Sequence, residues 1–259
     1  MREREGERAA AGGTDWDSLA SWWLETFSNG ADIEYELQIL PMAASEMSGA
    51  LRVLDVGTGE GQLARRLART EPRPEVVIGI DPAASQARNA ARQAGGPLYL
   101  RARGERLSFR DAGFDGVVCC LVIEHADDGD LFLEELARVL APGGRLLLIV
   151  NHPALQGPGS GFVDDQILGE HYWRVGPYLS EQSVVEEVDP GVPIRFSHRP
   201  ISRYVNPLCR AGLVLTFMGE PSPPLQFLTD STDLDLEIAM PRLLLLRFER
   251  PLSGGPVRE

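Results

Sequence analysis

The stretch LRVLDVGTGEG, residues 51–61, runs an apolar strand pattern into three glycines set at every second position, and GIDP, residues 79–82, closes the next apolar run. A short run rich in Val and Leu, a glycine turn and then a helical pattern form the opening unit of an α/β sheet. Glycines there allow a tight turn and let the backbone approach a ligand at the carboxyl end of a strand, where open α/β sheets bind. The spacing discriminates between cofactors. A dinucleotide fingerprint requires its third glycine at position 62, which is Gln62. Asp55, before the first glycine, suits an ammonium group better than a pyrophosphate, although it also reads as a solvated strand-end charge. Asp81 stands 20 residues beyond Gly61. At that place a carboxylate can accept both hydroxyls of an adenosine ribose, or else cap the helix that opens at Pro82.

Outward from this unit, strand patterns at 51–56, 75–80, 97–101, 114–121 and 145–150 alternate with helix patterns at 61–69, 82–93 and 131–140. Helical connections of this length imply right-handed crossovers and a parallel sheet covered on both faces. Upstream, residues 1–50 read as a helical cap with helix-like spacing at 16–24 and 33–42. Residues 51–150 form the cofactor-binding core. Residues 151–200 lose periodicity and gain Gly, Pro and aromatics, which predicts a lid or substrate-binding insertion after the fifth strand. Residues 201–259 complete the sheet with a helix at 201–211 and strands at 213–218 and 242–248, and the two termini are expected to be loose.

The joint occurrence of Asp55-x-Gly57-x-Gly59-x-Gly61, Asp81, Gly104-Glu105-x-Leu107-x-Phe109, Phe114-Asp115 and Leu140-x-Pro142-Gly143-Gly144 resembles the class I S-adenosylmethionine-dependent methyltransferases. The resemblance spans roughly residues 51–150. It implies a doubly wound, mostly parallel seven-stranded Rossmann-like sheet and S-adenosylmethionine as cofactor. It further implies cofactor contacts from Asp55 and Gly57 at the methionine end, Asp81 at the ribose, Gly104 and Glu105 at the adenine and Leu121 beneath, with Thr58, Gly59, Gly61 and Pro82 also in the cofactor site. The chain departs from the family at Arg103, where relatives usually carry Asp, so a bond to the adenine amino group falls to Glu105 or backbone.

A sulfonium methyl is already activated, so positioning dominates the chemistry, with a general base useful where the acceptor is a hydroxyl. Four histidines occur, His125, His152, His171 and His198, all after the fourth strand. His198 and then His152 are the leading base candidates because they stand at junctions between core and insertion; His125 follows, next to Glu124. Any of them can instead cap a loop. Phe162, Tyr172, Trp173, Tyr178 and Arg199 in the insertion, with Trp22 from the N-terminal region, suit a flat, partly hydroxylated small molecule. Those aromatics could equally be the insertion's own small core. Trp23 and Tyr35 are expected to close over the cofactor beside Trp22.

Net charge is −13, and the 25 basic residues are all Arg, a bias resembling high-GC bacterial genomes. A nucleic-acid enzyme would need a basic face to neutralise phosphates. No apolar run approaches the roughly 20 residues of a membrane span, and MREREGERAAAGG carries no apolar leader. The expectations are therefore a cytoplasmic enzyme, no nucleic acid, no membrane and no metal, with a homodimer allowed. Cys119, Cys120 and Cys209 read as small buried hydrophobes. The favoured reaction is methyl transfer to a hydroxyl of an aromatic or polyketide-like metabolite. Alternatives are an N or C acceptor, a non-catalytic protein of the same fold, or a nucleotide-dependent oxidoreductase.

Overall fold

A computed structural model describes residues 14–28, 30–228 and 233–252; the expectations for the extreme termini lie outside the described residues. The sheet strands are β1 (Arg52–Val56), β2 (Val76–Asp81), β3 (Leu98–Arg101), β4 (Phe114–Cys120) and β5 (Leu140–Asn151). Two hairpins follow, β6 (Gly161–Asp165) with β7 (Glu170–Arg174), and β8 (Gln182–Asp189) with β9 (Val192–His198), before β10 (Val214–Gly219) and β11 (Leu243–Glu249) return to the main sheet. The helices are α1 (Ala20–Phe27), α2 (Leu40–Glu46), α3 (Gln62–Leu67), α4 (Ala84–Gln93), α5 (Gly129–Val139), α6 (Ser202–Arg210) and α7 (Leu234–Ile238), with a π-helical turn at Tyr35–Ile39 leading into α2.

The main sheet has seven strands in the order β10-β11-β5-β4-β1-β2-β3. β1 pairs in parallel with both β2 and β4, so the chain winds one way from β1 and later the other. The crevice at the carboxyl ends of β1 and β4 is thus the place where the winding reverses, and open α/β sheets bind ligands there. β11 is antiparallel to β5 and β10, which makes the sheet mixed at one edge.

Leu146 to Val150 of β5 are wholly buried, as are Leu244 and Leu246 of β11. Strands covered on both faces need apolar residues at successive positions rather than alternate ones. Period two still sorts them. Leu54, Val117, Leu146 and Leu148 face a core completed by Phe132, Leu133 and Leu136 of α5 and Tyr204 and Leu208 of α6. Val53, Val118, Leu147 and Ile149 face the opposite core, with Leu40 and Ala43 of α2 and Leu63 and Leu67 of α3. Cys119 and Cys120 are buried in β4 as expected, whereas Cys209 is exposed on α6.

The segment expected to lack periodicity is the main departure, since it forms two antiparallel hairpins. In β8, QSVVEEVD, all but one residue is exposed, so no buried face imposes alternation on the sequence. The turn is encoded in Asp189-Pro190-Gly191, with Gly191 at φ +77°.

A candidate cofactor cleft and a second cavity

A cleft of about 350 Å³ opens at the carboxyl ends of β1, β2 and β4. The loop from β1 to α3 forms its floor, held against β2 by the N–H groups of Gly57 and Thr58, which donate to Ile80 O at 2.8 and 2.9 Å. Gly57 stands at φ +78°, and a Cβ added there would run into Val122. Any side chain would therefore be strained and displaced, which explains the glycine. Gly104 on the far wall has the same logic, since a Cβ would overlap Phe132.

Two carboxylates border the cleft almost without solvent. Asp55 is 1% exposed and Asp81 8%. Burial pushes Asp55 up to about 7 against a 2.6 Å bond from the Thr58 hydroxyl. Burial likewise raises Asp81 to about 6, opposed by N–H donors from Ala83 at 2.8 Å and Gly59 at 3.0 Å. Each Asp81 oxygen spends one acceptor site on backbone and keeps lone-pair capacity for a ligand hydroxyl. Asp81 reaches only the amide of Ala83, the residue before α4, so the expected helix cap is not formed, and Asp17 instead accepts from Ser85 N in the first turn. Leu121, at the end of β4, sits at φ +53°, a strained conformation for a branched side chain, of order 1–3 kcal/mol. Its N–H donates to Ile149 O at 2.8 Å, so the strand pairing holds it there beside the cleft.

The roof comes from the N-terminal segment. Thr14, Asp15, Trp16, Asp17 and Trp23 line the cleft together with Tyr35. Three contacts tie the segment down. Asp17 Oδ1 accepts from the Ser85 amide and hydroxyl, each at 2.7 Å; Thr14 Oγ1 accepts from Arg195 N at 2.9 Å; Trp22 Nε1 donates to Asp189 at 2.9 Å. Trp22 is therefore turned to the β8–β9 hairpin while Trp23 borders the cleft. Adjacent helical residues point about 100° apart, so a Trp pair cannot share one face. Trp16, Asp17, Gln86 and Phe132 line the cleft without having been singled out, because nothing local in sequence connects them to the glycine loop.

Arg103 pairs with Glu105 at 3.5 Å and with Asp127. Glu105 also accepts from Asp127 N at 3.0 Å, and both line the cleft with Ala102 and Gly104. Of the three candidate bases only His125 lies here. Burial lowers its pKa to about 4, and its Nδ1 meets Arg195 O at 2.9 Å, so Nδ1 carries the proton and Nε2 is the ring's acceptor. Trp16 and Phe196 pack against the ring at 5.0 and 4.9 Å between centroids.

His152 and His198 lie on a second cavity of about 200 Å³, with Glu124, Gln156, Arg199 and Tyr204. Phe162, Tyr172, Trp173 and Tyr178 border neither cavity. Phe162 and His171 stack at 5.6 Å, Trp173 Nε1 donates to Leu155 O at 3.1 Å, and the Tyr178 hydroxyl accepts from Ile201 N at 2.9 Å. Phe162 and Trp173 thus pack within the insertion, and Tyr178 ties it to the start of α6. Among the described residues no cluster of three His, Cys, Asp or Glu could hold a metal, and no helix is long and apolar enough to cross a membrane.

The cleft suits S-adenosylmethionine. Its volume falls within the range of small-ligand pockets. Two buried carboxylates offer sites for an ammonium and a ribose, and Gln86, bordering the same space, has Oε1 buried without a partner among the described residues.

Residues 54–148 match a family model described as a methyltransferase domain. Among curated relatives, a demethylmenaquinone methyltransferase of Deinococcus radiodurans is 40% identical over 111 residues, 41% of this chain and 45% of the relative. A ubiquinone biosynthesis O-methyltransferase of Chelativorans sp. is 34% identical over 127 residues, 48% of this chain and 49% of the relative. The chain spans about half the length of these relatives. A crystal structure of an S-adenosylmethionine-dependent methyltransferase from Mesorhizobium loti superposes with a TM-score of 0.68 at 25% identity, over 83% of this chain and 97% of that one. With the glycine turn, the paired carboxylates and the strand order, these matches identify residues 54–148 as a methyltransferase domain of the class I S-adenosylmethionine-dependent fold.

Proposed function

We propose that this chain moves a methyl group from S-adenosylmethionine to a small-molecule acceptor, a hydroxyl on an aromatic or polyketide-like metabolite. The observation that carries it is the cleft between Asp55 near the end of β1 and Asp81 at the end of β2, two buried carboxylates that border one glycine turn. When bound, the cofactor supplies a methyl already activated on sulfur. Asp81 holds the ribose, Asp55 and Gly57 the amino-acid end, and Gly104 with Glu105 borders the adenine. Trp16, Trp23 and His125 close the opposite wall and exclude water.

In this reading His125, which lines the cleft, receives the hydroxyl proton at Nε2, the ring nitrogen not engaged by Arg195 O. A base titrating near 4 is weak at neutral pH. Positioning, with about 7–11 kcal/mol available, therefore carries most of the rate. The hydroxyl preference is supported by the Chelativorans relative, named an O-methyltransferase. A second reading, transfer to a quinone-ring carbon, is supported by a relative from Geobacter sulfurreducens named a ubiquinone/menaquinone biosynthesis C-methyltransferase. The acidic balance favours a small molecule over nucleic acid, and the reading places the chain in the cytoplasm.

Incubation with labelled S-adenosylmethionine and a panel of catechols, hydroquinones and phenolic polyketides tests the proposal. S-adenosylhomocysteine should form with a hydroxylated aromatic and yield a methyl ether. Transfer only to ring carbon would favour the second reading, and no turnover with any acceptor would refute the assignment.

A further inference from the structure

The second cavity is separated from the cofactor cleft by the turn Ile123–His125, with His125 facing one space and Glu124 the other, and by Phe196, which lines the second cavity while packing on His125. Its walls are built and polar. Glu124 is 6% exposed; its Oε1 accepts from Asn151 N at 2.7 Å, while Oε2 is buried with no partner among the described residues. His152 is 4% exposed and directs Nε2 to Glu220 Oε1 at 2.7 Å. A carboxylate only accepts, so Nε2 carries the proton and Nδ1, also buried and unpartnered, holds a lone pair in the neutral ring. His198 Nε2 meets the Tyr178 carbonyl at 2.8 Å, which by the same reasoning leaves its Nδ1 as an acceptor.

The residues that line the cavity therefore carry three acceptors, Glu124 Oε2 and the Nδ1 atoms of His152 and His198, and Glu186 adds a second carboxyl group at the rim. Against them stand the Gln156 amide, whose Nε2 is buried and unpartnered, and Arg199, whose Nη1 is already directed to Ile123 O at 3.3 Å. A buried carboxylate oxygen and a buried imidazole nitrogen left without donors are costly to desolvate, of the kind that proteins retain where a ligand completes them. A primary ammonium carries three N–H donors, matching the number of these acceptors, and a positive charge that favours the ionised form of Glu124, which burial raises to about 7. A hydroxyl offers one donor and no charge.

We infer that the second cavity is a binding site for a small primary amine, with Glu124, His152 and His198 as its acceptors. The site stands without the methyl-transfer proposal, since no residue is shared between the linings of the two spaces.

The test uses the full chain with ¹⁵N-labelled histidine and follows the His152 and His198 ring nitrogens by NMR. Three probes are titrated: n-butylammonium, n-butanol, and tetramethylammonium, which has charge but no N–H. Butylammonium, with about five non-hydrogen atoms, should give saturable shifts at both rings with a Kd of about 1 mM. Butanol and tetramethylammonium should each bind at least about tenfold more weakly. Glu124→Gln keeps an oxygen for Asn151 and should weaken butylammonium at least about tenfold, with S-adenosylmethionine affinity retained as evidence of folding. Saturable binding of butanol or tetramethylammonium as tight as that of butylammonium, or no saturable shift with any probe, would overturn the site on the wild-type chain alone. So would an unchanged Kd in a folded Glu124→Gln variant.

Discussion

Asp81 accepts two backbone N–H bonds and still sits high, at about 6, because burial outweighs both donors. A ligand that brings two hydroxyl donors relieves that cost, so Asp81→Ala should weaken S-adenosylmethionine binding by at least tenfold, about 1.4 kcal/mol. Calorimetric titration reads it, and an unchanged affinity would remove Asp81 from the site. The direction of the pH dependence follows from the same groups. Between about pH 4 and their folded values, near 7 for Asp55 and near 6 for Asp81, these carboxyls hold protons in the free cleft that they would release in the unfolded chain. Their contribution to fold stability therefore declines as pH rises from about 4 through 7, while an ammonium or hydroxyl ligand prefers the ionised forms. Affinity should rise by at least about tenfold between pH 5.5 and 8 and then level off. A flat affinity profile would show that neither carboxylate changes charge on binding.

At the scale of elements, the motif Phe114-Asp115 has a structural cause. Asp115 Oδ1 accepts from Leu51 N at 3.0 Å and Arg52 N at 2.7 Å, clasping the start of β1 to β4 beneath the cleft. Asp115→Ala should cost about 1–2 kcal/mol, seen as a lower urea midpoint at constant slope; no shift in the midpoint would show that the clasp is dispensable. The core strands were legible because burial on both faces demands continuous apolar runs, as in Leu146 to Val150. The β8–β9 hairpin was not, since its exposed positions carry no pattern, although Asp189-Pro190-Gly191 marks the turn. Helix α1 shows a second limit. Trp22 and Trp23 are equal as residue types, and only their rotation about the helix sends one to Asp189 and the other to the cleft.

For the molecule as a whole, the glycine turn and the strand order converge on one crevice; its place after the first strand was readable from the glycine spacing, while the seven-stranded sheet was implied by the family resemblance. The division of the histidines was not. All four follow β4 in sequence, but the path of the two hairpins decides that His125 meets the cofactor cleft while His152 and His198 meet the second cavity. Nor does the sequence show that Trp173 and Tyr178 of the insertion spend polar atoms on Leu155 O and Ile201 N while Phe196 lines the second cavity. The proposal that unites the architecture is a grip on a single adenosyl ligand between the glycine turn after β1 and the carboxylate that ends β2. A crystal structure of the full chain grown with S-adenosylhomocysteine measures that grip directly. The account predicts both ribose hydroxyls within hydrogen-bond distance of Asp81 and the amino-acid end lying over Gly57 beside Asp55; a ligand seated elsewhere, or turned so that Asp81 meets neither hydroxyl, would contradict it.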